Sequence, residues 1–218
     1  MVKDRLEARV SSTQPKNGWC AVITHPHPKL GGDLRNNIVA NLTFRLNQIG
    51  MTTVRFNTRG VGNSTGSSTW RGIEERDDVY DCVSFAQALP GVTKVALVAY
   101  SFGAAVGLSI SQELCKEGKI QAIAAIGYPK GFWASFLFSS HYPLIDPKSS
   151  IPKLFVLGEN DNFTSVSTMK ALVSQITEPK KLVIVKDADH FCFECENLLT
   201  DPVLEFFQDL VDQHQSVM

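Results

Sequence analysis

Val95-Ala96-Leu97-Val98-Ala99-Tyr100-Ser101-Phe102-Gly103-Ala104-Ala105-Val106-Gly107 is the stretch on which the reading of this chain turns. Val95 to Ala99 is a continuous apolar run, the pattern of a strand buried on both faces. The run stops at Ser101, and a second apolar stretch rich in small residues follows with helical character. Ala99 and Gly103 stand two places either side of the serine. A strand-to-helix turn this tight has room for no side chain larger than methyl at those positions. It lifts the serine hydroxyl clear of the sheet and presents the next backbone N–H at a helix N-terminus, the geometry of a nucleophile elbow. The same small-x-Ser-x-Gly pattern also occurs in ordinary crossover turns. The rest of the chain therefore has to supply a base, an acid and an oxyanion site.

Outward from that turn, strands and helices alternate. Leu6 to Val10 reads as a short first strand, Trp19 to Thr24 as an apolar one, and Thr52 to Phe56 as one rich in β-branched residues. Ile38, Leu42, Leu46 and Ile49 predict a helix within 33–49, stopped by Gly50. Val79, Val83 and Ala86 stripe a helix over 73–89, ended by Pro90-Gly91. Glu74, Glu75, Asp77 and Asp78 crowd its first turns, where the helix dipole favours acids; they read as a solvated helix start, not a metal site. Beyond the elbow come strands at 121–126, 153–157 and 181–185 and helices near 166–176 and 202–212. The pattern predicts one α/β domain over residues 1–218, with a mostly parallel sheet of about seven strands and helices on both faces.

Composition narrows the function classes. A net charge of −1 gives no electrostatic case for nucleic acid or an acidic membrane surface. No apolar run is long enough to insert in a bilayer, and the charged start, Met1 to Glu7, lacks a secretory signal core. Five cysteines, an odd number, favour reduced thiols and a cytoplasmic location over a disulfide framework. Cys192-Phe193-Glu194-Cys195 is a lone Cys-x-x-Cys and reads as core packing.

In a parallel sheet, ligands bind beyond the carboxyl ends of the strands. His25, Arg59, Ser101, Asp161 and His190 each follow a strand. Serine is a weak nucleophile without an adjacent base, and His190 is the best placed of the histidines, ahead of His25, His27, His141 and His214. Asp161 is the candidate acid, with Glu159 its rival; Asp187 and Asp189 lie on the loop of His190 itself. The chain order Ser101, Asp161, His190 is that of α/β-hydrolase triads. An oxyanion hole needs two N–H donors. Phe102 supplies one; Pro26 and Pro28 have no N–H, which points to His27 between them as the second.

Other motifs carry less. His25-x-His27 lacks a third ligand of matching spacing, so neither a metal nor any other cofactor is expected. The glycines of Arg59 to Gly66 fit no phosphate loop and read as a structural turn anchored by Arg59. The aromatic run Gly131 to Phe138, within an excursion over 128–151, is either a helix packed on the sheet or a flap. As a flap it would line an apolar acyl pocket with Phe132, Trp133 and Phe136.

Together these residues resemble the α/β-hydrolase superfamily, most of all its small, cap-poor members related to dienelactone hydrolase and the serine aminopeptidase-like group. The resemblance runs from Trp19 to Phe207 and is carried by His25-Pro26-His27-Pro28 with Gly31-Gly32, Arg55 through Gly66, the Ser101 elbow, Gly158 to Asp161, and Asp189-His190-Phe191. It implies Ser101 as nucleophile, His190 as base, Asp161 as acid, and oxyanion donors in the first loop and at Phe102. Two departures are visible: Ala99 stands for the usual first elbow glycine, and the short front of the chain implies that the first strand of the full eight-stranded sheet is missing. The expected function is hydrolysis of a small carboxylic ester or thioester through an acyl-enzyme. The alternatives are a peptidase or amidase on the same triad, against which the absence of an acidic cluster in the 128–151 excursion weighs, and a non-catalytic binding protein. The partner is a small-molecule acyl substrate; the sequence leaves the oligomeric state open.

Overall fold

The computed structural model describes residues 1–11, 15–131 and 149–215. Seven strands form one sheet: β1 (Ala8–Ser11), β2 (Trp19–Thr24), β3 (Thr52–Phe56), β4 (Lys94–Tyr100), β5 (Ala122–Ile126), β6 (Lys153–Gly158) and β7 (Lys180–Val185). Their order across the sheet is β1-β3-β2-β4-β5-β6-β7. β1 pairs antiparallel with β3, and every other pair is parallel. The described helices are α1 (Asn37–Gln48), α2 (Glu75–Gln87), α3 (Phe102–Lys116), α4 (Val166–Ser174) and α5 (Glu196–Gln215).

The unbroken apolar runs of the central strands follow from burial on both faces. In β4, Val95, Leu97 and Ala99 enter one core with α2, α3 and α4, while Ala96, Val98 and Tyr100 enter the other with α1 and α5. Burying side chains of this size contributes about 1.5–3 kcal/mol each. Lys153, at the start of β6, is also buried; its ammonium donates to the carbonyls of Ser149, Ile151 and Thr177.

The chain leaves β2 for β3 on one side, then returns to lay β4 on the other. The sheet thus reverses direction between β2 and β4, and the loops beyond their ends face a common crevice, as expected at a topological switch point.

Two expectations are corrected. The acids of α2 are not all solvated: Glu75 and Asp78 are fully buried. Asp78 lies between the guanidinium groups of Arg5 and Arg59, and Glu75 accepts from the N–H and hydroxyl of Thr69. A buried carboxylate needs such partners, and Arg5 reaches it from far away in the sequence. The last helix starts at Glu196, not Pro202, and carries Pro202 inside it. The penalty of an internal proline, about 3 kcal/mol, is offset by burial of Leu199, Val203, Phe207 and Val211 on one apolar face.

Candidate active site

Ser101 sits between β4 and α3 with φ 56° and ψ −124°, a strained backbone for a residue with a side chain. Its N–H still donates to Ile126 of β5, and its carbonyl accepts the first helical bonds from Ala104 and Ala105. The elbow is tighter than the sequence implied. A Cβ at Gly103 would lie 2.2 Å from Thr24 Oγ1 and 2.6 Å from the His25 carbonyl, so even a methyl does not fit. The requirement comes from close approach of the loop after β2.

The Ser101 hydroxyl lies 2.8 Å from His190 Nε2, and His190 Nδ1 lies 2.7 Å from Asp161 Oδ2. His190 and Asp161 side chains are 2% and 1% exposed, so water competes little for these bonds. Asp161 Oδ1 accepts the N–H groups of Phe163 and Thr164, which fixes the carboxylate after β6. The Tyr100 hydroxyl donates to the His190 carbonyl, and its pKa is raised by burial, so it stays a donor. Glu159, the rival acid, is exposed and accepts from the Asp187 N–H. Asp189 turns back to cap the N–H groups of Phe191 and Cys192.

The loop after β2 is rigid for visible reasons. His25 is buried, with Nδ1 2.6 Å from the Pro26 carbonyl, and Nε2 accepts the Thr58 N–H. Burial pushes its pKa down to about 4, so the ring is neutral. The His27 ring accepts the Lys29 N–H at Nδ1, lies 3.2 Å from the Trp70 carbonyl at Nε2 and packs on Phe102 at 4.4 Å between centroids. A Cβ at Gly32 would sit 2.2 Å from the Pro26 carbonyl, so this loop too needs its glycine. The rings of His25 and His27 are thus held as neutral structural groups. Arg59 stands apart from the serine, paired with Asp78 and Glu74.

A cavity of about 270 Å³ opens over Ser101, between the Pro26-to-Gly32 loop and the aromatic side chains of Phe163, Phe191 and Phe193. The sequence did not mark Phe163, Phe191, Phe193 and Leu30 as pocket residues; the signal available was their nearness to Asp161, His190 and the His25-Pro26-His27-Pro28 loop. Phe132, Trp133 and Phe136, proposed as pocket residues, lie outside the described residues, as does His141.

The cysteine expectation is corrected for one pair. Cys192 and Cys195 form a disulfide, because positive φ at Cys192 and Glu194 curls the loop and brings their Cα atoms to 5.0 Å. Cys192 is at the same time buried in the apolar core, as the packing reading expected. Cys20, Cys82 and Cys115 are not disulfide-bonded. Among the described residues no His, Cys, Asp and Glu group is arranged to hold a metal ion, and no helix is long and apolar enough to cross a membrane.

No protein-family model matches the chain. An uncharacterized protein of Rickettsia prowazekii is 28% identical over 193 residues, 86% of this chain and 77% of the relative. An alpha-beta serine hydrolase homologue from Coxiella burnetii superposes with a TM-score of 0.70 at 27% identity, covering 94% of this chain and 89% of that one. A lid-less α/β serine hydrolase from Xanthomonas campestris superposes with a TM-score of 0.72 at 24% identity, covering 96% and 87%. The seven-stranded sheet with its antiparallel edge, the serine at the switch point and these likenesses lead to one conclusion: the chain is a member of the α/β-hydrolase superfamily.

Proposed function

We propose that the protein is a serine hydrolase that cleaves a small carboxylic ester or thioester through an acyl-enzyme on Ser101. The observation that carries the proposal is the unbroken relay from the Ser101 hydroxyl through His190 to Asp161, at 2.8 and 2.7 Å. Asp161 accepts a hydrogen bond from the Nδ1–H of His190, which keeps that proton on Nδ1 and leaves the Nε2 lone pair for the serine proton. Ser101 attacks the acyl carbon as that proton passes to Nε2. Asp161 stabilises the imidazolium that forms. The carbonyl oxygen, now negative, meets the backbone N–H groups of Phe102 and His27. Phe102 opens the 15-residue helix α3, so the positive end of the helix dipole adds to that site. His190 returns its proton to the departing alcohol or thiol. Water, deprotonated by the same ring, then releases the acid and restores the serine.

A fluorophosphonate probe tests this directly. The protein is expected to be labelled on Ser101 and to lose labelling and ester turnover in Ser101→Ala, with its melting temperature retained. Labelling that persists in Ser101→Ala overturns the assignment.

A further inference from the structure

We infer that the site is built for small esters whose acyl group is apolar and uncharged, and that Phe193, Phe191 and Leu30 set this choice. The inference rests on the hydrolase reading above and adds the substrate class to it.

The chemistry of the cavity wall carries it. Among the described residues, no Lys, Arg, Asp or Glu side chain lines the space over Ser101. Most polar side-chain atoms that do line it are already engaged. The Tyr100 hydroxyl is spent on the His190 carbonyl. The Asn36 side-chain oxygen caps α1 through the N–H groups of Ile38 and Val39. His27 is tied at Nδ1 to Lys29 and at Nε2 to Trp70. What remains for a polar group of the substrate carries no fixed charge: the reacting pair, Ser101 and His190, the Asn36 amide NH₂, and the backbone N–H groups assigned above to the oxyanion. A charged acyl tail would lose its water and find no counter-charge, which is costly.

The apolar part of the wall is large and exposed. Phe193 is 73% exposed, Leu30 68% and Phe191 42%, and they gather on one cavity wall, an exposed apolar patch of the kind that marks a ligand groove. Phe191 and Phe193 stack with an interplanar angle of 12°, and Phe163 meets Phe191 edge-on. Phe191 follows His190 directly, and Phe193 lies inside the loop closed by Cys192 and Cys195. The same loop therefore presents the base and the apolar wall. At about 270 Å³ the cavity is at the small end for ligand sites. A short alkyl or single-ring acyl group suits it.

The test is a panel of 4-nitrophenyl esters bearing acetyl, butyryl, hemisuccinyl and alanyl groups, run with the fluorophosphonate probe. The expected kcat/KM is highest for butyryl, with hemisuccinyl and alanyl esters about 100-fold lower. Phe193→Ala is expected to lower butyryl kcat/KM about tenfold, mainly through KM, and to cost the acetyl ester less. Phe193→Lys is expected to shift preference toward the hemisuccinyl ester, an outcome that a purely structural role would not give. Both variants alter an exposed ring, so folding is retained. A labelled enzyme that cleaves the charged esters as fast as the butyryl ester overturns the substrate class and leaves the hydrolase reading standing. Absence of both labelling and turnover overturns both.

Discussion

Asp161 and His190 meet at 2.7 Å, carboxylate to Nδ1, while the other Asp161 oxygen holds the N–H groups of Phe163 and Thr164. The carboxylate is thus anchored by its own loop and presents one oxygen to the ring. In Asp161→Asn the amide oxygen keeps the backbone bonds and the amide NH₂ faces Nδ1. That favours the tautomer with its proton on Nε2, where no base is left for Ser101. A fall in kcat of about 10⁴-fold is expected with little change in KM. Steady-state kinetics checks it; an unchanged kcat would remove Asp161 from the reaction.

Acid sensitivity follows from His25. Its pKa falls from 6.5 to about 4 on folding because the ring is buried. Between those values the unfolded chain binds a proton that the folded chain refuses, so stability rises with pH across the window and is lost as pH falls through it. The effect is on the order of 3 kcal/mol. His27, lowered in the same direction by burial, adds to it. Urea midpoints between pH 7 and about pH 4.5 measure the slope, which His25→Gln should flatten.

Asp78 joins the first residues of the chain to the loop after β3 through Arg5 and Arg59. Asp78→Ala removes the carboxylate the two arginines share, while Arg5 keeps Asp81 and Arg59 keeps Glu74. A loss of about 1–3 kcal/mol is expected, read by chemical denaturation. A loss within the range of an ordinary surface substitution would show that water replaces the carboxylate there.

Gly103→Ala tests the elbow. The added methyl meets Thr24 Oγ1 and the His25 carbonyl, the second of which is backbone and cannot rotate away. The expected cost is about 1–3 kcal/mol, accompanied by a drop in turnover as the first loop shifts. Wild-type melting and turnover in this variant would mean that the two loops give way easily.

Much of this was legible in the sequence. The strand at Trp19–Thr24 and that at Thr52–Phe56 matched residue for residue, because unbroken apolar or β-branched runs bounded by turn residues have one good reading. Ser101, Asp161 and His190 could be picked out because a parallel sheet puts the residues after its strands on one edge. Other features depend on contacts that periodicity does not encode. Acids in a first helical turn look alike whether they face water or an arginine 73 positions earlier, as Asp78 does. Pro202 resembled a helix start, and only the packing of Leu199 against the second core reveals the turns before it. Phe191 and Phe193 gave no periodic signal, since they sit in a loop whose shape is set by positive φ at Cys192 and Glu194.

The sheet order also bears on timing. Ser101 follows the fourth strand and His190 the seventh, so the proposed nucleophile is synthesised well before the proposed base. A nascent chain can carry a formed elbow and still be inert. On the proposed mechanism, reactivity requires His190 to reach the serine, and that contact needs β7 docked on β6 at the sheet edge. That closure spans 89 positions, a long-range step of the kind that slows folding. Labelling of Ser101 would therefore report completion of the sheet, and an unfinished chain would be spared the cost of carrying a reactive serine.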